Sequence, residues 1–311
     1  MIVGISLATI ALTAQAQQGA IEAPRLILIS VDGLRPDVIT QESAPRLSAL
    51  RESGANAVAL NDLPSATLPN HATMLSGLVS DHHGLILNFD IPGVFPFPTL
   101  ITLASDAGDR VGYFVSKTKL LYLAEPAALS VSEYAADTDT LIDRVIEQFA
   151  NLDVIFIHLR DPDSNGHQHG WLSPEYLAAV TKSEAQIGRV LDALPPDAIT
   201  YVLVTADHGG AGLNHFANIP EDRDIPWIVV GPDIPAGLEV CTDVTTADTL
   251  PTALRLIGLD IPAGLDGRPI SFSDDNADFP SPVVPPGLPC VLFLAPILIT
   301  AGVVATRRPI V

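Results

Sequence analysis

The stretch that decides the fold is Arg25 to Gly33, Arg-Leu-Ile-Leu-Ile-Ser-Val-Asp-Gly. Its apolar run lacks the alternation of a half-solvated strand, so it reads as a strand buried on both faces. It stops at Asp-Gly, which is a turn signal. Runs of the same kind recur at 153–159, 199–205 and 225–230, with further strands at 57–60 and 111–115. Helical patterns separate them, at 44–52, 100–106, 138–150 and 249–256. The segment 138–150 sets Leu141, Ile142, Val145, Ile146 and Phe149 on one face. Ser173-Pro174-Glu175 supplies a cap, a first-turn proline and a first-turn acid for a helix that continues through Val190. Strands alternating with helices predict an α/β fold with a mainly parallel central sheet and helices on both faces. Sites in such sheets form beyond the carboxyl ends of the strands.

The chain has 311 residues, enough for one large domain or two small ones, and 48% hydrophobic content supplies a core. A formal net charge of −20 excludes nucleic acid as an expected partner, because phosphate backbones need basic patches. Acidity of this kind fits either a metalloenzyme or plain solubility. The two cysteines, Cys241 and Cys290, are expected to stay apart, since Cys290 opens an apolar run. This is no disulfide scaffold.

Residues 1–16 are apolar or small and end Thr-Ala-Gln-Ala, the pattern of a cleaved secretory signal peptide. Residues 17–24 read as a linker and 25–270 as the catalytic domain. Residues 271–289 are a Pro-rich linker. Residues 290–308 hold an uncharged apolar run followed by Arg307-Arg308, a C-terminal transmembrane or sorting segment. The expected protein is exported, periplasmic or on the cell surface, and tethered to a membrane by its tail.

Four separated pieces carry chemistry. Thr67 lies in Pro-Ser-Ala-Thr-Leu-Pro-Asn-His, residues 64–71, where Pro69 marks a helix start. A hydroxyl there faces free N–H groups and the positive end of a helix dipole. Asp32 follows the first strand. Asp163 and His167 lie in Asp-Pro-Asp-Ser-Asn-Gly-His, and Asp207, His208 and His215 in Asp-His-Gly-Gly-Ala-Gly-Leu-Asn-His. Carboxylate and imidazole together are the usual ligands of a catalytic zinc. Alone, each piece is a cap or a turn. Together, at strand ends of one α/β chain, they point to a site.

These pieces, in this order, resemble the type I phosphodiesterase/nucleotide pyrophosphatase family of the alkaline phosphatase superfamily, in its compact bacterial form. The resemblance runs from about Arg25 to about Leu259 and implies an alkaline-phosphatase-like fold and a hydrolase of phosphoric esters. It also implies two zinc ions, with manganese as an alternative. Asp163, His167 and His215 would hold one, and Asp32, Asp207, His208 and the Thr67 oxygen the other. Thr67 would be the nucleophile, forming a phosphothreonine, and Asn70 would bind a phosphoryl oxygen. His71 is read as structural, and His83 and Asn88 as loop-forming. Only six residues separate His208 from His215, unlike the long insertion of animal members. Lys117 and Lys119 resemble a cationic pair that phosphate monoesterases of the superfamily place on the substrate. The expected substrate is a small phosphate ester, a diester before a monoester. The rival reading is an inactive surface-binding domain on the same fold.

Overall fold

The computed structural model describes residues 25–194, 199–272 and 283–284. The expected signal peptide (1–16), the linker 17–24 and the tail segment 290–308 lie outside the described residues.

The order of elements is β1 (Arg25–Val31), α1 (Pro45–Ser53), β2 (Ala55–Leu60), α2 (Thr67–Ser76), α3 (Ser80–His83), α4 (Leu100–Asp106), β3 (Val111–Val115), β4 (Val131–Tyr134), α5 (Thr138–Gln148), β5 (Val154–Leu159), α6 (Asp161–His169), α7 (Pro174–Asp192), β6 (Thr200–Thr205), α8 (Pro220–Arg223), β7 (Asp224–Val230), β8 (Leu238–Val240), α9 (Thr249–Leu256) and β9 (Val283–Val284). The strands form one sheet in the order β4-β3-β5-β1-β6-β7-β2-β8-β9. β4, β3, β5, β1 and β6 run parallel to one another, β2 and β8 share their direction, and β7 and β9 are reversed. One group of helices packs around α7, namely α1, α5 and α6; another packs around α2, namely α3, α4 and α9. The mainly parallel sheet between two helical layers is the predicted architecture.

The central strand explains the arrangement. Residues Leu26–Val31 of β1 are all buried, as are all residues of β3 and β5. Together the three strands contribute Leu, Ile, Val, Tyr and Phe to both faces of the sheet, which is why their runs do not alternate. Burying such a side chain contributes about 1.5–3 kcal/mol. β1 sits between β5 and β6, so the chain crosses to either side of it, and the crevice beyond its carboxyl end lies open at that switch of direction.

Several expectations change. The polar stretch after β5 carries no helical apolar pattern, yet Asp161–His169 folds as α6, because Pro162 suits a first turn and its polar side chains need no apolar stripe when they line a site. β4 and β8 are short and lack an apolar run, so no strand signal marks them. The compact unit also extends past residue 270. Phe272 stacks on Trp227 with ring centroids 6.2 Å apart, and β9, inside the expected linker 271–289, pairs with β8. Cys241 is disulfide-bonded, which corrects the expectation of an unpaired thiol. The chain's other cysteine, Cys290, lies outside the described residues.

Candidate active site

β2 delivers the chain to a loop, residues 61–66, and α2 starts at Thr67. Ala66 is the extended N-cap and Thr67 the first helical residue, almost wholly buried. The loop is held from within the helix. The Asn70 carboxamide accepts from the Asp62 N–H at 2.8 Å and donates to the carbonyls of Asp62, Pro64 and Ala66 at 3.0–3.2 Å. Asn70 is fully buried, and through these contacts it braces the turn that carries Thr67. His71 gives its Nδ1 proton to the Thr67 carbonyl at 2.7 Å, so its Nε2 accepts from the Ser30 hydroxyl at 2.8 Å. The structural reading of His71 agrees with these contacts.

Asn88, read as loop-forming, instead reaches the start of α2. Its Oδ1 accepts from the Leu68 N–H at 3.0 Å and from Lys119 Nζ at 2.8 Å. No local pattern marks it, since it reaches Thr67 only through the folded loop.

The remaining ligand candidates converge on the same edge of the sheet. Asp32 follows β1, Asp163 lies in the first turn of α6 after β5, and Asp207 and His208 follow β6. The Asp163 N–H donates to the Asp32 carbonyl at 3.0 Å and ties two of these strand ends together. Asp207 Oδ1 accepts from the Gly33 and His208 N–H groups at 3.2 and 3.0 Å, which turns Oδ2 inward. The histidines are set by backbone carbonyls. The Nδ1 protons of His208, His215 and His167 go to Gly209, Ser65 and Leu213 at 2.8, 2.7 and 2.9 Å. Each Nε2 lone pair therefore faces the carboxylates. His208 Nε2 lies 3.4 Å from both Asp32 Oδ1 and Asp207 Oδ2, His215 Nε2 3.8 Å from Asp163 Oδ1, and His167 Nε2 3.3 Å from that same oxygen.

Asp32 Oδ1, Asp163 Oδ1, Asp207 Oδ2 and His208 Nε2 are buried without a hydrogen-bond partner. Acceptors turned toward one another cost free energy unless a cation joins them. The donor set thus fits divalent metal. Two overlapping groups have the right spacing, Asp163 with His208 and His215, and Asp32 with Asp207 and His208. The partition differs from the expected one: His208 belongs to both groups, and His167 stands at the rim, 40% exposed, beside Asp163. Burial and the neighbouring His208 push His215 down to about 3, so its lone pair stays available at neutral pH.

A second row supports these groups. His158, in β5, gives its Nε2 proton to Asp32 Oδ2 at 3.0 Å, and its Nδ1 meets the Ser116 hydroxyl at 2.9 Å. Such partners orient a ligand and fix its charge. The sequence hides His158 inside an apolar run, and only the register Ser30↔His158 brings it under Asp32. Both expected lysines reach the site. Lys117 Nζ is 2.6 Å from Asp32 Oδ2 and from Asp163 Oδ2, and 3.4 Å from the Thr67 hydroxyl. Burial opposes its charge, but the carboxylates of Asp32 and Asp163 hold it protonated above the ordinary lysine range. Lys119 shifts the other way, lowered by burial and by Lys117. Arg35 and Asp161 serve elsewhere: Arg35 pairs with Asp37 at 2.6 Å, and Asp161 with Lys182 at 2.8 Å.

Gly33 permits the close approach of β1 and α6. Its φ is +73°, and a Cβ there would stand 2.9 Å from the Asp163 Cα. Gly33→Ala is expected to destabilise the fold by roughly 1–3 kcal/mol, through left-handed strain and the clash together. Urea denaturation checks this, and an unchanged midpoint would contradict the close approach.

A family model for type I phosphodiesterase / nucleotide pyrophosphatase matches residues 26–92 and 102–226, which carry Asp32, Thr67, Asp163, His167, Asp207, His208 and His215. The chain belongs to this family. Among curated relatives of this type I phosphodiesterase family member, human ectonucleotide pyrophosphatase/phosphodiesterase family member 7 is 24% identical over 219 residues, 60% of this chain and 47% of the relative. A 2,3-bisphosphoglycerate-independent phosphoglycerate mutase from Syntrophotalea carbinolica is 34% identical over 140 residues, 43% of this chain and 26% of the relative. The chain thus spans about half or less of these relatives. Among solved structures, murine ectonucleotide pyrophosphatase/phosphodiesterase 5, in an inactive threonine-to-alanine form with AMP, superposes with a TM-score of 0.65 at 14% identity, covering 77% of this chain and 96% of that one. A 2-O GAG sulfatase gives 0.63 at 18%, covering 80% and 73%. Both likenesses concern the fold, an alkaline-phosphatase-like sheet.

Proposed function

We propose that the chain hydrolyses phosphoric esters with Thr67 as nucleophile, in a site loaded with divalent metal, zinc first and manganese as the alternative. The carrying observation is the set of unpartnered acceptors on Asp32, Asp163, Asp207 and His208 gathered beside the buried Thr67 hydroxyl. The inactive threonine-to-alanine form of the murine relative supports the same role for Thr67.

Metal bound there supplies Lewis acidity, lowering a hydroxyl pKa and neutralising phosphoryl charge. The two cradles would be Asp163, His208 and His215, and Asp32, Asp207 and His208, with Thr67 and His167 at their margins. The residues do the rest. Asn70 and His71 hold the Thr67 backbone, so its oxygen is aimed before substrate arrives. The Thr67 oxygen attacks phosphorus, the alcohol leaves, and water then cleaves the phosphothreonine. Lys117, Lys119 and the N-terminus of α2 offer positive charge to the non-bridging oxygens.

The family favours a diester. One observation favours a monoester: Lys117 and Lys119 both stand by the nucleophile turn, and two cations suit a dianion. The test compares bis-p-nitrophenyl phosphate with p-nitrophenyl phosphate, with bound metal measured by elemental analysis. Faster diester cleavage is expected. Faster monoester cleavage, reduced selectively by Lys119→Ala, would establish the second reading. Absence of both metal and turnover would return the chain to a ligand-capturing surface domain.

Location is also an inference from sequence. The leader-like residues 1–16 and the tail 290–308 support export and a membrane tether, and a disulfide at Cys241 fits an oxidising compartment. Among the described residues no helix is long and apolar enough to cross a membrane.

A further inference from the structure

Trp171 is the residue on which the separate pieces of the site meet. It stands between α6 and α7, 6% exposed, and its groups face three of those pieces. The indole Nε1–H donates to the Gly33 carbonyl at 3.0 Å, in the turn that carries Asp32. The main-chain N–H donates to the Gly212 carbonyl at 2.8 Å, in the loop that runs from His208 to His215. The ring meets the imidazoles of His167 and His215 at steep angles, with centroids 5.2 and 5.9 Å apart. Two glycines clear the space it fills. A Cβ at Gly166, in α6 three residues past Asp163, would stand 2.7 Å from the ring, and a Cβ at Gly210 2.1 Å from it. An indole packed this closely against both backbones is a wedge between α6 and the loop, since close-packed interiors transmit a change of volume to their neighbours.

The two cradles depend on this wedge unequally. Asp163, His208 and His215 come from α6 and the loop, the segments that the ring holds apart. Asp32, Asp207 and His208 follow β1 and β6, which are neighbours in the sheet. That second cradle has holds of its own. The Gly33 carbonyl also accepts from the Tyr176 hydroxyl at 2.9 Å. Asp207 Oδ1 takes the Gly33 and His208 N–H groups, and His208 gives its Nδ1 proton to Gly209.

We propose that Trp171 is a positioning residue for the Asp163–His208–His215 cradle. Its ring sets how far His215 and His167 stand from Asp163, and the Asp32–Asp207–His208 cradle forms without it. This inference rests on the metal-loaded hydrolase reading above and adds the residue that makes the two cradles separable.

The experiment is equilibrium dialysis of the full chain against zinc, with elemental analysis and a urea curve recorded in chelator. The parent is expected to hold about two ions and Trp171→Leu about one, because the shell around a metal site is worth roughly 10–100-fold in affinity. Trp171→Phe keeps an aromatic ring and loses the N–H to Gly33, so its weaker ion should fall between parent and Trp171→Leu. Gly166→Ala drives a methyl into the ring and should repeat the one-sided loss with Trp171 present. Where Trp171→Leu does not fold, these two variants decide. A merely structural tryptophan gives a different result: the urea midpoint falls while the folded variants hold both ions as the parent does. That result, or equal weakening of both ions, overturns the proposal and leaves the hydrolase reading standing. A parent that takes up no zinc or manganese overturns the metal-loaded reading itself, and this proposal with it.

Discussion

Thr67→Ala is expected to lower kcat for phosphate ester cleavage by roughly a thousandfold or more, the scale on which nucleophile removal acts. The argument is geometric. Thr67 opens α2, its carbonyl is held by His71, and its hydroxyl lies 3.4 Å from Lys117 Nζ among the carboxylates. Three neighbouring hydroxyls among the described residues are engaged elsewhere: Ser65 donates to the Asp222 carbonyl, Ser116 bonds His158, and Ser30 bonds His71. Stability should change by no more than about 1 kcal/mol, since one hydroxyl without a strong partner is lost. Kinetics on both nitrophenyl esters, with a urea curve for the folded state, check this. Retained turnover in a folded Thr67→Ala would place the nucleophile elsewhere.

His208→Ala should have the largest effect on metal. His208 is the ligand candidate common to both groups, and its Nε2 lies 3.4 Å from oxygens of both Asp32 and Asp207. Outer partners of a ligand are worth roughly 10–100-fold in affinity, so loss of a shared ligand should exceed about 100-fold. Elemental analysis after dialysis should show depletion at both cradles, and the variant should lose the stabilisation that metal gives the parent. His167→Ala is the control: its ring is 40% exposed at the rim, and it should weaken metal far less. If the two variants lose metal equally, the original partition, with His167 a full ligand, is right.

Much of this was legible in the sequence because burial on both faces writes itself as unbroken apolar runs. Asp32 and Asp207 could be placed beyond such runs before any coordinates. What stayed hidden depends on the third dimension. The partners of Asn70 are one example, because a carboxamide one turn into a helix can fold back on the loop preceding it. His158 carries no motif, and Asn88, though it matches the family, does not show its partners in sequence: strand register brings the first to the site and a loop crossing the second. The polar helix α6 was missed because periodicity is read from apolar residues and it exposes none to the core pattern.

The three imidazoles aimed at the cradle are oriented by carbonyls of Gly209, Ser65 and Leu213, and main-chain carbonyls survive any substitution. Leu213 makes the consequence plain. Its backbone sets the proton of His167, while its side chain stands in water. A substitution that keeps the backbone in place can therefore change the exposed surface at that position and leave the group that orients His167 intact. One residue thus serves His167 through its main chain and leaves its side chain without any part in that contact.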